Sequence, residues 1–142
     1  MTINDFLAAY DRPLPDEDEA IAELLGWAIA HAGDELETKH TFQAEARGTS
    51  IEVTARAPSG GAETLWVGVC NKSTRGGGLG RQIEALVREA RGRIPVVVRT
   101  AEFPSGAGTV VASLLGDLIT GGGRRVTLPL ADLRTMAAFR AF

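Results

Sequence analysis

Glu52, Cys70, Lys72 and Gln82 are the side chains of this sequence whose types and spacing could act together on a phosphodiester. They fall in the stretches "TSIEVTAR", "TLWVGVCNK" and "GLGRQ". Alternate residues of an extended strand share a face, so Ile51, Val53 and Ala55 point one way and Glu52, Thr54 and Arg56 the other. On the next stretch Leu65, Val67 and Val69 oppose Trp66, Gly68, Cys70 and Lys72. If the two strands pair, Glu52, Cys70 and Lys72 share a face. A carboxylate near a lysine on paired strands, beside a helix bearing Gln82, can hold a divalent cation and orient a water against a phosphodiester. A plainer reading makes Glu52 and Lys72 a cross-strand ion pair and Cys70 a small, partly buried hydrophobe.

A rival use of Lys72 comes from the loop that follows. "KSTRGGGLG" lies between a strand and a helix, where backbone N–H groups and the helix dipole favour phosphate. It lacks the Gly-Lys-Ser/Thr ending of a Walker A loop, and the spacing of Gly76, Gly78 and Gly80 misses the dinucleotide fingerprint by one residue. A loop with no ligand is the plainer alternative. As a cradle residue Lys72 points along the loop. As a nuclease residue it points off the sheet beside Glu52, and the period-two register favours that second direction.

Positioning these residues calls for helices and strands in a particular order. Asp16, with Glu19 three residues on, caps a first helix whose apolar residues Ile21, Leu24, Leu25, Ala28 and Ile29 recur at helical spacing; Gly33 and Asp34 break it. "HTFQAEARG" and "TSIEVTARA" read as a hairpin turning near Arg47 and Gly48, "PSGGAE" as a turn, and "TLWVGVCNK" as a third strand. The glycine loop opens a helix with a stripe of Leu79, Ile83, Leu86, Val87 and Ala90. "IPVVVRT" is a β-branched run suited to a strand covered on both faces. Ser105 then caps a helix, "GGG" ends it, "RRVTLPL" forms a last strand, and Asp132 caps the terminal helix. These elements predict an α/β domain over 16–142, after an N-terminal segment of 1–15, in three layers with a sheet antiparallel at the start and parallel at the end. The terminal helix lacks a C-cap glycine, the pattern of a chain cut from a longer protein.

The element order and these residues together resemble the Mrr-like branch of the restriction-endonuclease-like fold, the PD-(D/E)XK superfamily. That family places an acid on the second strand, then Glu or Gln, one residue and Lys on the third, followed by a helix and a buried strand. The corresponding residues are Glu52, Cys70-Asn71-Lys72 and "IPVVVRTAEF". The resemblance covers roughly residues 16 to 139 in topology and is specific at three or four positions. It implies Glu52 as a metal ligand, Lys72 stabilising the attacking hydroxide or the phosphate charge, Gln82 as a helper from the helix, and Glu19 or Glu23 as a further oxygen donor. Cys70 stands where the family has Glu or Gln, Glu52 where it has Asp, and the hairpin between them is long. Magnesium wants oxygen ligands, so the thiol makes the motif a degenerate one.

With 142 residues, 44% hydrophobic and 23% charged, the chain has the balance of one globular domain. No apolar run is long enough to span a bilayer, and the start lacks a basic segment followed by an apolar one, so the reading is a cytoplasmic protein with no membrane partner. Cys70 is the only cysteine, which excludes an internal disulfide, and with only two histidines a zinc site is disfavoured. Charge is divided unevenly: residues 1–40 carry ten acids against Arg12 and Lys39, net −8, and the remainder carries thirteen bases against eight acids, net +5. A surface with Lys72, Arg75, Arg81 and Arg99 on one face would suit nucleic-acid phosphates. The expectation is a degenerate restriction-endonuclease-like domain of a larger bacterial protein, associated with DNA, with its own C-terminal region or with another protein. An active magnesium-dependent nuclease is one alternative. A phosphate-ligand or protein-binding domain without nucleic-acid contact is another.

Overall fold

The alternating stretches pair into a single five-stranded sheet in the order β1-β2-β3-β4-β5, with β1 Thr41–Arg47, β2 Ser50–Arg56, β3 Ala62–Val69, β4 Ile94–Arg99 and β5 Arg124–Thr127. The first three strands form an antiparallel meander, and β4 and β5 are added parallel to β3. Short connections join the antiparallel strands; helical crossovers α3 (Gly78–Ala90) and α4 (Val110–Thr120) join the parallel ones. The other helices are α1 (Ile3–Ala9), α2 (Asp18–Glu35) and α5 (Leu130–Ala141). The computed structural model describes residues 2–35, 40–73, 75–104 and 109–142, leaving aside the side chains of Asp34 and Glu35.

Each face of the sheet has its own core. Ile51, Val53, Val67, Val69, Val96 and Val98 pack with Ile21, Leu24 and Leu25 of α2 and Leu133 and Ala137 of α5. On the other face Trp66, Cys70 and Val97 pack with Leu79, Ile83 and Leu86 of α3 and Val111, Leu115 and Leu118 of α4. The result is an α/β fold with a mixed sheet, antiparallel at its start and parallel at its end, flanked by helices. Helix α3 lies so close to β3 that a Cβ on Gly68 would sit 2.6 Å from Cδ1 of Leu86, a separation only glycine permits.

Several boundaries differ from the sequence reading. Helix α2 begins at Asp18, with the Ile21 N–H donating to the Glu17 carbonyl, and runs on through Gly33 to Glu35; packing on β1 outweighs the weak helix propensity of Gly-Asp. The N-cap of α4 is Thr109, whose side chain accepts from the Ala112 N–H at 3.0 Å; Ser105 lies outside the described residues. Helix α5 starts two residues before Asp132, capped by no side chain, and places that carboxylate in its first turn, where it complements the helix dipole. The N-terminal segment contains α1, closed by a reciprocal capping box between Thr2 and Asp5. These bonds hold the Asp5 carboxyl below its usual range. Among the described residues no helix is long and apolar enough to cross a membrane.

Candidate functional site

Strands β3 and β4 end side by side, and the residues just past their ends build a polar corner. Pairing continues briefly beyond β3, as the Cys70 N–H donates to the Val98 carbonyl at 2.8 Å. The chain then leaves the sheet and must satisfy its backbone by other means. The Asn71 N–H donates to Oδ2 of Asp18 at 3.1 Å, and Oδ1 of Asn71 accepts from the Thr100 N–H at 2.8 Å. The Lys72 N–H donates to Oε1 of Gln82 at 3.0 Å, and Nε2 of that glutamine donates to the same Asp18 oxygen at 3.0 Å. Gln82 is thus fixed at both ends of its amide.

Arg99 closes the corner from below. Its Nη1 donates to the carbonyls of Cys70 at 2.9 Å and Lys72 at 3.0 Å, and its Nε to that of Glu102 at 3.2 Å. The residue is only 3% exposed. Burial pulls its pKa down, while Cys70 and Asp18 act in the opposite direction. Arg99 had a place among candidate phosphate contacts, but its guanidinium is committed to the chain's own carbonyls.

Cys70 turns into the apolar cluster under α3, with Sγ 3.7 Å from the Gly68 carbonyl. Burial pushes its thiol up to about 12; the Asp18 charge adds to the rise and Arg99 opposes it. A thiol so held is neutral and unreactive at physiological pH.

Glu52 is placed elsewhere. It lies opposite Trp66 in the β2–β3 register, four residues before Cys70 and so about 13 Å away along the strand. Its carboxylate pairs with Nη1 of Arg93, whose guanidinium covers the Trp66 ring at 4.1 Å and whose Nε and Nη2 donate to the carbonyls of Ala90 and Glu89. The alternation that put Glu52, Cys70 and Lys72 on one face holds within the strands, but β3 ends at Val69. Beyond it Lys72 is exposed, with its stem along the glycine loop: a Cβ on Gly78 would be 3.1 Å from Cδ of Lys72.

The remaining candidates are on the surface. Glu19 is exposed on the first turn of α2, one residue and so about 100° around the helix from Asp18. Glu23 pairs with Arg140 at 3.5 Å. Arg75 and Arg81 are exposed around the glycine loop, Arg81 donating to the Gly76 carbonyl at 3.4 Å. Gly76 and Gly77 adopt φ of 81° and 75°, which lets the loop turn into α3. Lys72, Arg75 and Arg81 thus share one exposed connection.

Asp18, Asn71 and Arg93 carry much of this geometry and were missed from sequence. Asp18 entered the sequence reading only as one of the ten acids of residues 1–40. Arg93 had a local signal, a basic residue just past a helix end, where it can take up the last carbonyls.

The residues that the family would assign to magnesium do not fit that ion. Glu52 is held by Arg93, Glu23 pairs with Arg140, Glu19 faces solvent on α2, and Cys70 offers a neutral thiol where a hard cation wants oxygen. Among the described residues no three His, Cys, Asp or Glu side chains gather around one point. Comparison with known proteins gave no match to a family model, a curated protein or a solved structure.

Proposed function

We propose that this chain is a restriction-endonuclease-like domain whose catalytic corner has become structural, acting as a non-catalytic module that contacts the DNA backbone through Lys72, Arg75 and Arg81. The order of elements and the antiparallel-to-parallel sheet support the family reading. The observation that carries the loss of catalysis is the engagement of both ends of the Gln82 amide, by the Lys72 N–H and by Asp18. Groups needed for chemistry on a substrate are consumed in holding two strand ends together. What remains outward is a glycine loop flanked by cations, suited to phosphates and silent on base sequence.

The test is fluorescence anisotropy with a labelled duplex, paired with a plasmid-nicking assay in manganese. Three phosphate contacts predict a log–log salt slope of about −2.7, so affinity falls roughly 40-fold between about 50 and 200 mM salt. Arg75→Glu with Arg81→Glu should abolish binding, and no nicking should appear. Salt-insensitive binding, or cleavage lost in Lys72→Ala, would refute the reading.

A further inference from the structure

The sheet has an open strand at each edge, and only one of the two is guarded. β5 has four residues and carries Arg124 and Arg125, the short and charged kind of edge that discourages pairing. β1 is unlike it. Its seven residues pair with β2 in an unbroken register, with no proline and no bulge. Its two charges, Glu45 and Arg47, lie 3.3 Å apart in a pair of their own. Helix α2 packs on one face of β1, but among the described residues no segment bonds to its outer edge.

The ladder fixes which groups that edge presents. The Val69 N–H donates to the Thr49 carbonyl and the Ala57 N–H to the Gly61 carbonyl, so the odd-numbered residues of β2 turn their backbone groups toward β3. Alternate residues of an antiparallel ladder address opposite neighbours, so the even-numbered residues of β2 address β1 and meet its odd-numbered ones. What faces outward is the N–H and C=O of Phe42, Ala44 and Ala46.

Only an extended backbone answers such a row of alternating donors and acceptors, which excludes a duplex, a lipid surface and the side of a helix. Among extended chains the side chains decide, and β1 is complementary to itself. About a two-fold axis at Ala44, that alanine faces its own copy, Phe42 faces Ala46, Gln43 faces Glu45 and Thr41 faces Arg47. A large side chain meets a small one, an amide meets a carboxylate and a hydroxyl meets a guanidinium, with no like charges opposed. Each of the three outward residues is used, with two hydrogen bonds to a pair. An axis at Glu45 would oppose two carboxylates, and one at Gln43 would set Ala46 and Arg47 against residues outside β1. We propose that the chain forms a two-fold dimer in which β1 pairs antiparallel with β1 of a second copy, continuing one sheet through both. This interface is separate from the Lys72–Arg75–Arg81 connection and goes beyond the reading of that connection.

The experiment is sedimentation velocity on the full chain from about 5 μM to about 1 mM, paired with amide hydrogen exchange read by NMR on the isotopically labelled chain. The dimer should grow with concentration. Exchange at Phe42, Ala44 and Ala46 should slow in step with it, while Gln43 and Glu45, bonded to β2, are protected at every concentration. Ala44→Pro removes an outward N–H and no bond to β2, so the monomer should stay folded and the dimer weaken by roughly tenfold or more. Should that variant fail to fold, Gln43→Glu at an exposed position tests the same register. It opposes carboxylates twice across the axis and should weaken the dimer by roughly three- to tenfold. Adding Glu45→Gln exchanges the two residues and should recover most of the loss. Arg75→Glu with Arg81→Glu should leave the dimer unchanged, which separates this result from the DNA test. A chain monomeric up to about 1 mM, a dimer indifferent to Ala44→Pro and to Gln43→Glu, an exchange of the two residues that recovers nothing, or exchange at the three amides independent of concentration would overturn the proposal. So would a monomer whose Phe42, Ala44 and Ala46 amides become protected only on adding an unrelated extended peptide, which would give the edge to another protein.

Discussion

Gln82 Nε2 donates to Asp18 Oδ2 at 3.0 Å, joining helices whose contacting residues are 64 positions apart. The same oxygen accepts the Asn71 N–H, and the other end of the glutamine amide accepts the Lys72 N–H. Two side chains therefore satisfy both backbone donors at the point where the chain leaves β3. The geometry is that of a joint between α2, the end of β3 and α3.

Asp18→Ala removes the acceptor of two donors and should lower unfolding free energy by about 2–3 kcal/mol, the scale of leaving part-buried donors unpaired. Urea denaturation measures it. A double-mutant cycle with Gln82→Ala should show coupling of about 1 kcal/mol. Additive losses would mean that the two side chains do not act as one joint.

Arg99→Lys keeps the charge but loses the planar fork that reaches three carbonyls. We expect a loss of about 2–4 kcal/mol, since bonds from a charged donor contribute about 1.5–3 kcal/mol each and lysine can retain only part of the set. An unchanged urea midpoint would contradict the account of Arg99 as an internal tie.

Cys70 should resist alkylation in the folded chain at about pH 8 and react once the chain unfolds, because only the thiolate attacks. Its folded pKa of about 12 lies above the ordinary 9.0, so folding favours the neutral thiol. The associated stability is complete below pH 9.0 and is lost as pH rises toward about 12. Cys70→Glu, at a site 3% exposed, should destabilise the fold by roughly 3–5 kcal/mol, the cost of an uncompensated buried charge, with no gain of magnesium binding. Thermal unfolding against pH, with magnesium titration of the variant, reads both.

Gly68→Ala should cost about 1–3 kcal/mol through overpacking, as all three nearest atoms to the new methyl belong to Leu86. Leu86→Val removes the δ carbons and should recover part of that loss in the double variant. A double variant no better than additive would place the strain elsewhere.

Period-two alternation in the sequence determined which residues of β2 and β3 share a face, because side chains of a strand must alternate whatever the strand pairs with; which helices cover each face was decided by the packed structure. The β-branched run at Val96–Val98 likewise determined a strand covered on both sides, and the apolar stripe of α3 determined its buried face. Position along the strands was a different matter. The turn in which the Ala57 N–H bonds to the Gly61 carbonyl sets Arg56 opposite Ala62, and that register alone places Glu52 beside Trp66 and away from Lys72. The burial of Arg99 and the engagement of Asp18 were likewise decided by tertiary structure. A buried carbonyl or N–H takes whatever partner the packed helices bring within reach, and that partner lies too far along the chain for any local pattern to mark it.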